Sequence, residues 1–322
     1  MLQSIWHWLH SKGYAQGVFW ITLVALCSNG NDIVTRLVGQ RLESIQIAFF
    51  RVFFATLLLL PVMFAHGSKL FRTRYALLHT ARAIMGFIAV SCWCYGVRHV
   101  PLAVVSVIAL TVPLFVLPMA ALFLREQVGW QRTAATLCGF LGILIIALPS
   151  LLQSCMGEAY NTNILGMTAL TLAALFFAAS DILNKKVAGK ESHLTVIFYF
   201  AAGTSLLGGL FALLFYAATS AGVLHHLPAL LLWRMPTPTE TASLFLLGLG
   251  GNAILYFLLK AFAATQVSAL APYRYLELIF AGGFGFLLFG EIPTPIDWLG
   301  IAIIVLATVA IARYEIQHAQ TA

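Results

Sequence analysis

The chain has 322 residues, 61% hydrophobic and 9% charged, whereas a soluble domain carries about 25% charged residues. That composition excludes a water-soluble globular protein and describes a chain that crosses a membrane many times. The formal net charge of +7 does not indicate nucleic-acid binding, because Lys and Arg fall in short loops between apolar runs and form no basic domain.

Residues 1–15 carry Trp6, His7, Trp8 and His10 where a signal peptide would have a compact apolar core ending in small residues, so an interfacial lead-in is expected there. A membrane-spanning helix needs about 20 mostly apolar residues. On that rule ten spans are expected, at 16–36, 44–65, 75–96, 100–124, 130–149, 162–185, 193–218, 242–264, 269–290 and 295–314, followed by a tail at 315–322. Pro113 and Pro118 are expected to bend the fourth span, and Pro272 to loosen the start of the ninth, since proline removes an intrahelical hydrogen bond. Most connections are short, so successive helices run antiparallel. The long connection, 219–241, holds Trp233, Pro236 and Pro238 and has room for a short interfacial helix.

The basic residues give the orientation. With the N-terminus inside, the cytoplasmic segments hold Lys12, Lys69, Arg72, Arg74, Arg125, Arg132, Lys185, Lys186, Lys190 and Arg313, against Arg36, Arg41, Arg98 and Arg234 outside. Both termini are therefore expected in the cytoplasm, as an even number of spans requires. Four cations remain within apolar segments: Arg51, Arg82, Lys260 and Arg274.

The chain also repeats itself. Asn31-Asp32-Ile33-Val34-Thr35-Arg36 lies over Ser180-Asp181-Ile182-Leu183-Asn184-Lys185, and Leu124-Arg125-Glu126 matches Phe289-Gly290-Glu291. Five spans per copy is an odd number, so the second copy, 162–314, enters the membrane from the side opposite to the first, 16–149, with 150–161 joining them. The expected fold is an all-α polytopic membrane protein of ten transmembrane helices in two inverted five-helix repeats, an arrangement suited to alternating access.

Residues 271–278 read Ala-Pro-Tyr-Arg-Tyr-Leu-Glu-Leu within a long apolar run. A charge at that depth costs a few kcal/mol on insertion scales, so Arg274 and Glu277 should turn to protein, a partner or a water-filled cavity. On a continuous helix they share a face, with Tyr273 and Tyr275 to either side. The five cysteines show no ligand-like spacing, and Cys92 and Cys94 point to different sides of a helix, so no metal is expected. No phosphate-cradling glycine loop and no nucleophile-base pattern is present, which argues against an ATP-driven pump or an enzyme, and no cofactor is expected.

Ten spans in two halves, with Glu126 and Glu291 each followed by a glycine-containing helix (Gly139, Gly142; Gly300), resemble the EamA family of the drug/metabolite transporter superfamily over nearly the whole chain. Within it, Asn31-Asp32, Ala48-Phe49-Phe50-Arg51, Asp181-Ile182-Leu183-Asn184-Lys185-Lys186, Phe257-Leu258-Leu259-Lys260-Ala261-Phe262 and residues 271–278 are similar to S-adenosylmethionine uptake transporters of obligate intracellular bacteria. The resemblance implies a multi-pass carrier of the bacterial inner membrane, a monomer or homodimer in the lipid bilayer, that takes up S-adenosylmethionine, in exchange for S-adenosylhomocysteine or coupled to protons. Export of amino acids or related metabolites is one alternative, and a non-transporting membrane scaffold or enzyme the other.

Such a cargo needs a cation for its carboxylate, an acid for its ammonium, and aromatic faces for its sulfonium and adenine. Arg274, Glu277, Tyr273 and Tyr275 supply these types within five residues; the structural alternative pairs Glu277 with Lys260 or Arg82. Arg51 has only Phe200 at its matched position and is a candidate for the carboxylate. Lys260 either faces the cargo or snorkels to the interface. Asp32 and Asp181 are either gating or proton-linked carboxylates, or solvated helix ends paired with Arg36 or Lys185. Trp93, Tyr95, Tyr199 and Tyr256 are candidates for an adenine pocket, against ordinary packing.

Overall fold

In hydrocarbon every backbone N–H and C=O must be satisfied within its own segment, which leaves the helix as the local structure for apolar runs of this length. The computed structural model describes residues 13–38, 41–42, 44–99, 108, 110–156, 164–220, 235–289 and 295–319. Among these, all regular structure is helical. The helices are α1 (Tyr14–Val38), α2 (Ser44–Ala65), α3 (Ala76–His99), α4 (Val112–Leu124), α5 (Trp130–Met156), α6 (Ile164–Val187), α7 (His193–Ser220), α8 (Pro238–Ala264), α9 (Val267–Leu270), α10 (Leu276–Phe289) and α11 (Pro295–Ala319). Tight 3-10 turns at Ser68–Phe71 and Ala271–Tyr275 precede α3 and α10. Helices α1, α2, α3, α6, α7 and α8 are long and apolar enough to cross a membrane; the apolar stretches of α4, α5 and α11 are shorter.

Three expectations about the elements change. Pro113 stands in the first turn of α4, where a missing N–H removes no intrahelical bond, so it starts the helix instead of bending it; Pro118 is the interior proline. Helix α8 begins at Pro238 and not at 242, because Thr237 and Glu240 form a capping box: the Thr237 N–H donates to Glu240 Oε2 at 2.7 Å, and the Glu240 N–H to the Thr237 hydroxyl at 3.4 Å. The interfacial helix considered for 219–241 falls on 221–234, outside the described residues. The ninth span is not one helix. It breaks into α9, the 3-10 turn Ala271–Tyr275 with Pro272 at its start, and α10.

Helix α1 lies along α8 and α3 along α6; α2 also packs on α8, and α7 on α3; α2 meets α7 and α5 meets α11. The last contact depends on two glycines. A β-carbon on Gly142 would sit 2.8 Å from the Gly300 carbonyl oxygen, and one on Gly300 2.6 Å from that of Gly142, so the two backbones approach more closely than any side chain permits.

Candidate functional site

The broken segment between α8 and α10 is fixed from the α4–α5 connection. Glu126 accepts from the backbone N–H groups of Val267 and Ser268, each at 3.0 Å, and from the Ser268 hydroxyl at 2.6 Å. It thus satisfies the free donors that begin a helix, across 141 residues of sequence. Arg132 adds bonds to Ser268 at 2.9 Å and to Gln266. The preceding end of α8 is held by Lys185, whose ammonium donates to the carbonyls of Phe262 and Thr265.

Proline 272 cannot donate an N–H, and the backbone tightens to 3-10 geometry through Tyr275. Tyr273 is buried, its hydroxyl 2.6 Å from that of Tyr14. The ring of Tyr275 fills the space beside Gly139, where a β-carbon would collide with it, and its hydroxyl is buried with no hydrogen-bond partner. Both tyrosines are therefore committed to protein contacts that position Arg274 between them.

Arg274 forms an ion pair with Asp181 of α6; the side chains are 26% and 7% exposed. This corrects two sequence expectations. Arg274 and Glu277 do not share a face of one continuous helix, since Arg274 belongs to the 3-10 turn and Glu277 to the first turn of α10. Asp181 is neither solvated nor paired with Lys185, which reaches α8 instead. Glu277 is half-buried and close enough for its charge to act on Arg274; its backbone carbonyl accepts from Asn29 at 3.0 Å.

From Asp181 a polar chain leads away from the break. Asn184 bonds to Asp181 and accepts from Arg82 Nε at 2.8 Å. Arg82, fully buried, also donates to the Val196 carbonyl and lies 3.1 Å from His79 Nδ1. An arginine can only donate, so His79 Nδ1 accepts, and its Nε2–H faces Glu191 at 2.8 Å. Arg82 is thus engaged with Asn184 and His79, and the expected alternative of an Arg82–Glu277 pair is not what these bonds form. Glu191, in the connection between α6 and α7, also accepts from the Thr73 hydroxyl at 2.7 Å and the Arg74 N–H at 3.0 Å. Burial pushes its carboxyl up, but these bonds outweigh it and hold the group below the usual range.

Lys260 sits in different surroundings. Its ammonium lies 5.9 Å from the ring centre of Trp20 and 5.7 Å from that of Tyr256, and no carboxylate among the described residues pairs with it. The Lys260–Glu277 pair considered from the sequence is therefore absent. Trp20 stacks on Phe257 at 5.6 Å, and His193 stands 5.6 Å from Tyr256 with its Nε2 buried and unpartnered. Lys260 stands four residues before the end of α8, where a lysine costs less than the about 2.5–3.5 kcal/mol of a helix centre in hydrocarbon, and a cation over a partly exposed ring recovers about 0.5–1 kcal/mol.

Among the other sequence candidates, Arg51 lies so close to α8 that a β-carbon on Gly251 would sit 3.4 Å from its Nε. Trp93 packs edge-on against Phe177. Tyr199 is held by protein contacts: its hydroxyl donates to the Phe71 carbonyl at 2.7 Å and its ring stacks on His79 at 4.9 Å. Asp32 lies on α1, with its side chain outside the described residues. Among the described residues no three His, Cys, Asp or Glu side chains could hold a metal ion. Sequence reasoning passed over Trp20 and His193, and named Asn184 only within the run that holds Asp181. Only the spacing of Tyr256 and Lys260, four apart on one helix face, signalled an aromatic-cation cluster.

Comparison with known proteins adds to this geometry. The model of the EamA-like transporter family matches residues 15–148 and 164–313. An S-adenosylmethionine uptake transporter of Rickettsia felis is 36% identical over 305 residues, covering 94% of this chain and 95% of the relative. A riboflavin transporter of Rhizobium johnstonii is 31% identical, covering 94% of this chain and 92% of its own. A solved crystal structure shares the fold with a TM-score of 0.73 at 14% identity, over 95% of this chain and 99% of that one.

Proposed function

The chain belongs to the EamA-like transporter family, and on that footing we propose that it is a secondary carrier that takes up S-adenosylmethionine by alternating access. Family membership makes it a multi-pass membrane transporter and not an enzyme. The observation that carries the cargo is the 36% identity, over nearly the full length of both chains, to a transporter named for S-adenosylmethionine uptake.

The proposed architecture is ten spans in two inverted halves, 16–149 and 162–314, with both termini in the cytoplasm and the chain in the bacterial inner membrane as a monomer or homodimer. The family match to two successive stretches supports the two halves. So does the packing. Exchanging the first five spans for the second five turns the α1–α8 contact into α6–α3 and the α2–α8 contact into α7–α3, while α2–α7 and α5–α11 map onto themselves. Because Arg274 keeps a quarter of its side chain exposed beside Glu277, these two residues face the cargo in this proposal, and the Arg274–Asp181 pair opens and closes as the halves rock. Asp32, Arg51 and Trp93 remain candidates along the same path.

Uptake runs in exchange for S-adenosylhomocysteine or with protons, and one assay separates these from failure of the cargo. Labelled S-adenosylmethionine is offered to proteoliposomes that are empty, loaded with S-adenosylhomocysteine, or held at an inward proton gradient. Uptake that only the loaded vesicles support identifies exchange. No uptake under any condition by folded protein rejects the cargo, and saturable uptake of labelled riboflavin that S-adenosylmethionine does not inhibit would move it to a different heterocycle.

A further inference from the structure

We propose that Lys260, with Trp20, Tyr256 and His193, forms the subsite that receives the carboxylate of the cargo; this rests on the S-adenosylmethionine reading above. The sequence offered Arg274 and Arg51 for that role, but Arg274 already has the Asp181 carboxylate, and Arg51 lies against the α8 backbone at Gly251. Arg82 is fully buried, with Nε and Nη1 donating to Asn184, Val196 and His79 and Nη2 sealed among the same helices without a partner among the described residues. Lys260 is held by ring faces alone, with no carboxylate partner among the described residues.

Two further features point to a ligand there. His193 Nε2 is buried with no hydrogen-bond partner, and a buried polar atom of that kind is costly unless something fills its valence. His193 and the Lys260 ammonium both stand against the Tyr256 ring, at 5.6 Å and 5.7 Å, so an ammonium and an imidazole nitrogen approach one place from α8 and α7. A carboxylate has two oxygens, one for each donor. The rings explain the rest of the cargo. The Lys260 ammonium occupies the faces of Trp20 and Tyr256; when a carboxylate draws it away, those faces are released to a cation, and S-adenosylmethionine brings its sulfonium only a few bonds from its carboxylate. Lys260 thus keeps the aromatic faces engaged until the right zwitterion replaces it.

The test pairs a change in the protein with the matching change in the ligand. Equilibrium binding is measured for S-adenosylmethionine and for its decarboxylated counterpart, which keeps the sulfonium, amine and adenine, with wild type, Lys260→Met and Lys260→Arg. Wild type is expected to bind S-adenosylmethionine at least tenfold more tightly than the decarboxylated compound. Lys260→Met should erase that ratio by weakening S-adenosylmethionine and freeing the ring faces for the decarboxylated ligand, while Lys260→Arg retains most of it. Affinity of Lys260→Met for the decarboxylated ligand at or above the wild-type value is the internal control for folding. Equal affinities of wild type for the two ligands, or a ratio that survives in Lys260→Met, overturns the subsite while leaving the cargo in place. Absence of any saturable binding of S-adenosylmethionine to wild type overturns the cargo and the subsite together.

Discussion

Replacing Asp181 by Asn removes the counter-charge of Arg274 with almost no change in shape. Breaking a fully buried pair from one side costs about 3–5 kcal/mol, because the other charge stays behind uncompensated. Arg274 is less isolated than that. A quarter of its side chain is exposed, and the Glu277 charge acts on it as well. The expected cost is therefore about 2–3 kcal/mol, below the range for a sealed pair. Arg274→Gln leaves Asp181 behind at 7% exposure, with Asn184 still bonded to it, and should cost a similar amount. The double variant removes both charges and should cost at least 1 kcal/mol less than the two single costs combined. Reversible unfolding in mixed detergent micelles, read for all four proteins, measures this. Single costs below about 0.5 kcal/mol, the size of a surface pair, or additive effects would show that the two charges do not meet across α6 and the broken segment.

Glu126→Gln removes the charge that caps α9 and should destabilise the protein by about 1–2 kcal/mol, measured by the same unfolding assay; an unchanged midpoint would refute the cap. The Glu191 carboxyl is lowered in the folded state, so its stabilisation is present above the ordinary glutamate range and lost as the pH falls through the lower folded value. Thermal midpoints taken from neutral to acid pH should fall more steeply for wild type than for Glu191→Gln. Gly300→Ala puts a methyl group 2.6 Å from the Gly142 carbonyl oxygen and should cost about 1–3 kcal/mol by forcing α5 and α11 apart, whereas Gly283→Ala, with nothing within 4 Å of the added carbon, serves as the control.

Much of the fold is legible because hydrocarbon permits so few solutions. The apolar runs at 44–65 and 193–218 became α2 and α7 within two residues at either end. The start of α8 was missed because its first turn is polar; the Thr-Pro-Thr-Glu run carried a capping signal that a hydropathy criterion ignores. The ninth span read as one helix for the converse reason: its apolar run is continuous, and only Pro272 marks the place where the hydrogen-bond ladder fails. Within the site, Arg274 stood out by its depth alone, but its partner did not, because Asp181 lies 93 residues away and pairing across that distance is a product of packing. Lys185, four residues from Asp181, was the partner that helix spacing suggested, yet the carbonyls left open at the end of α8 claimed it. Trp20 and His193 were invisible for the same reason, since they meet Lys260 from two other helices.

Uptake of labelled S-adenosylmethionine by reconstituted wild type, Arg274→Ala and Glu277→Gln tests most directly whether the charges at the broken segment serve a polar cargo. The expected result is saturable uptake by wild type and its loss in both variants, with each variant inserted in the membrane at the wild-type level. Uptake at wild-type rates by both variants would contradict it, and would leave Arg274 as a structural partner of Asp181 alone.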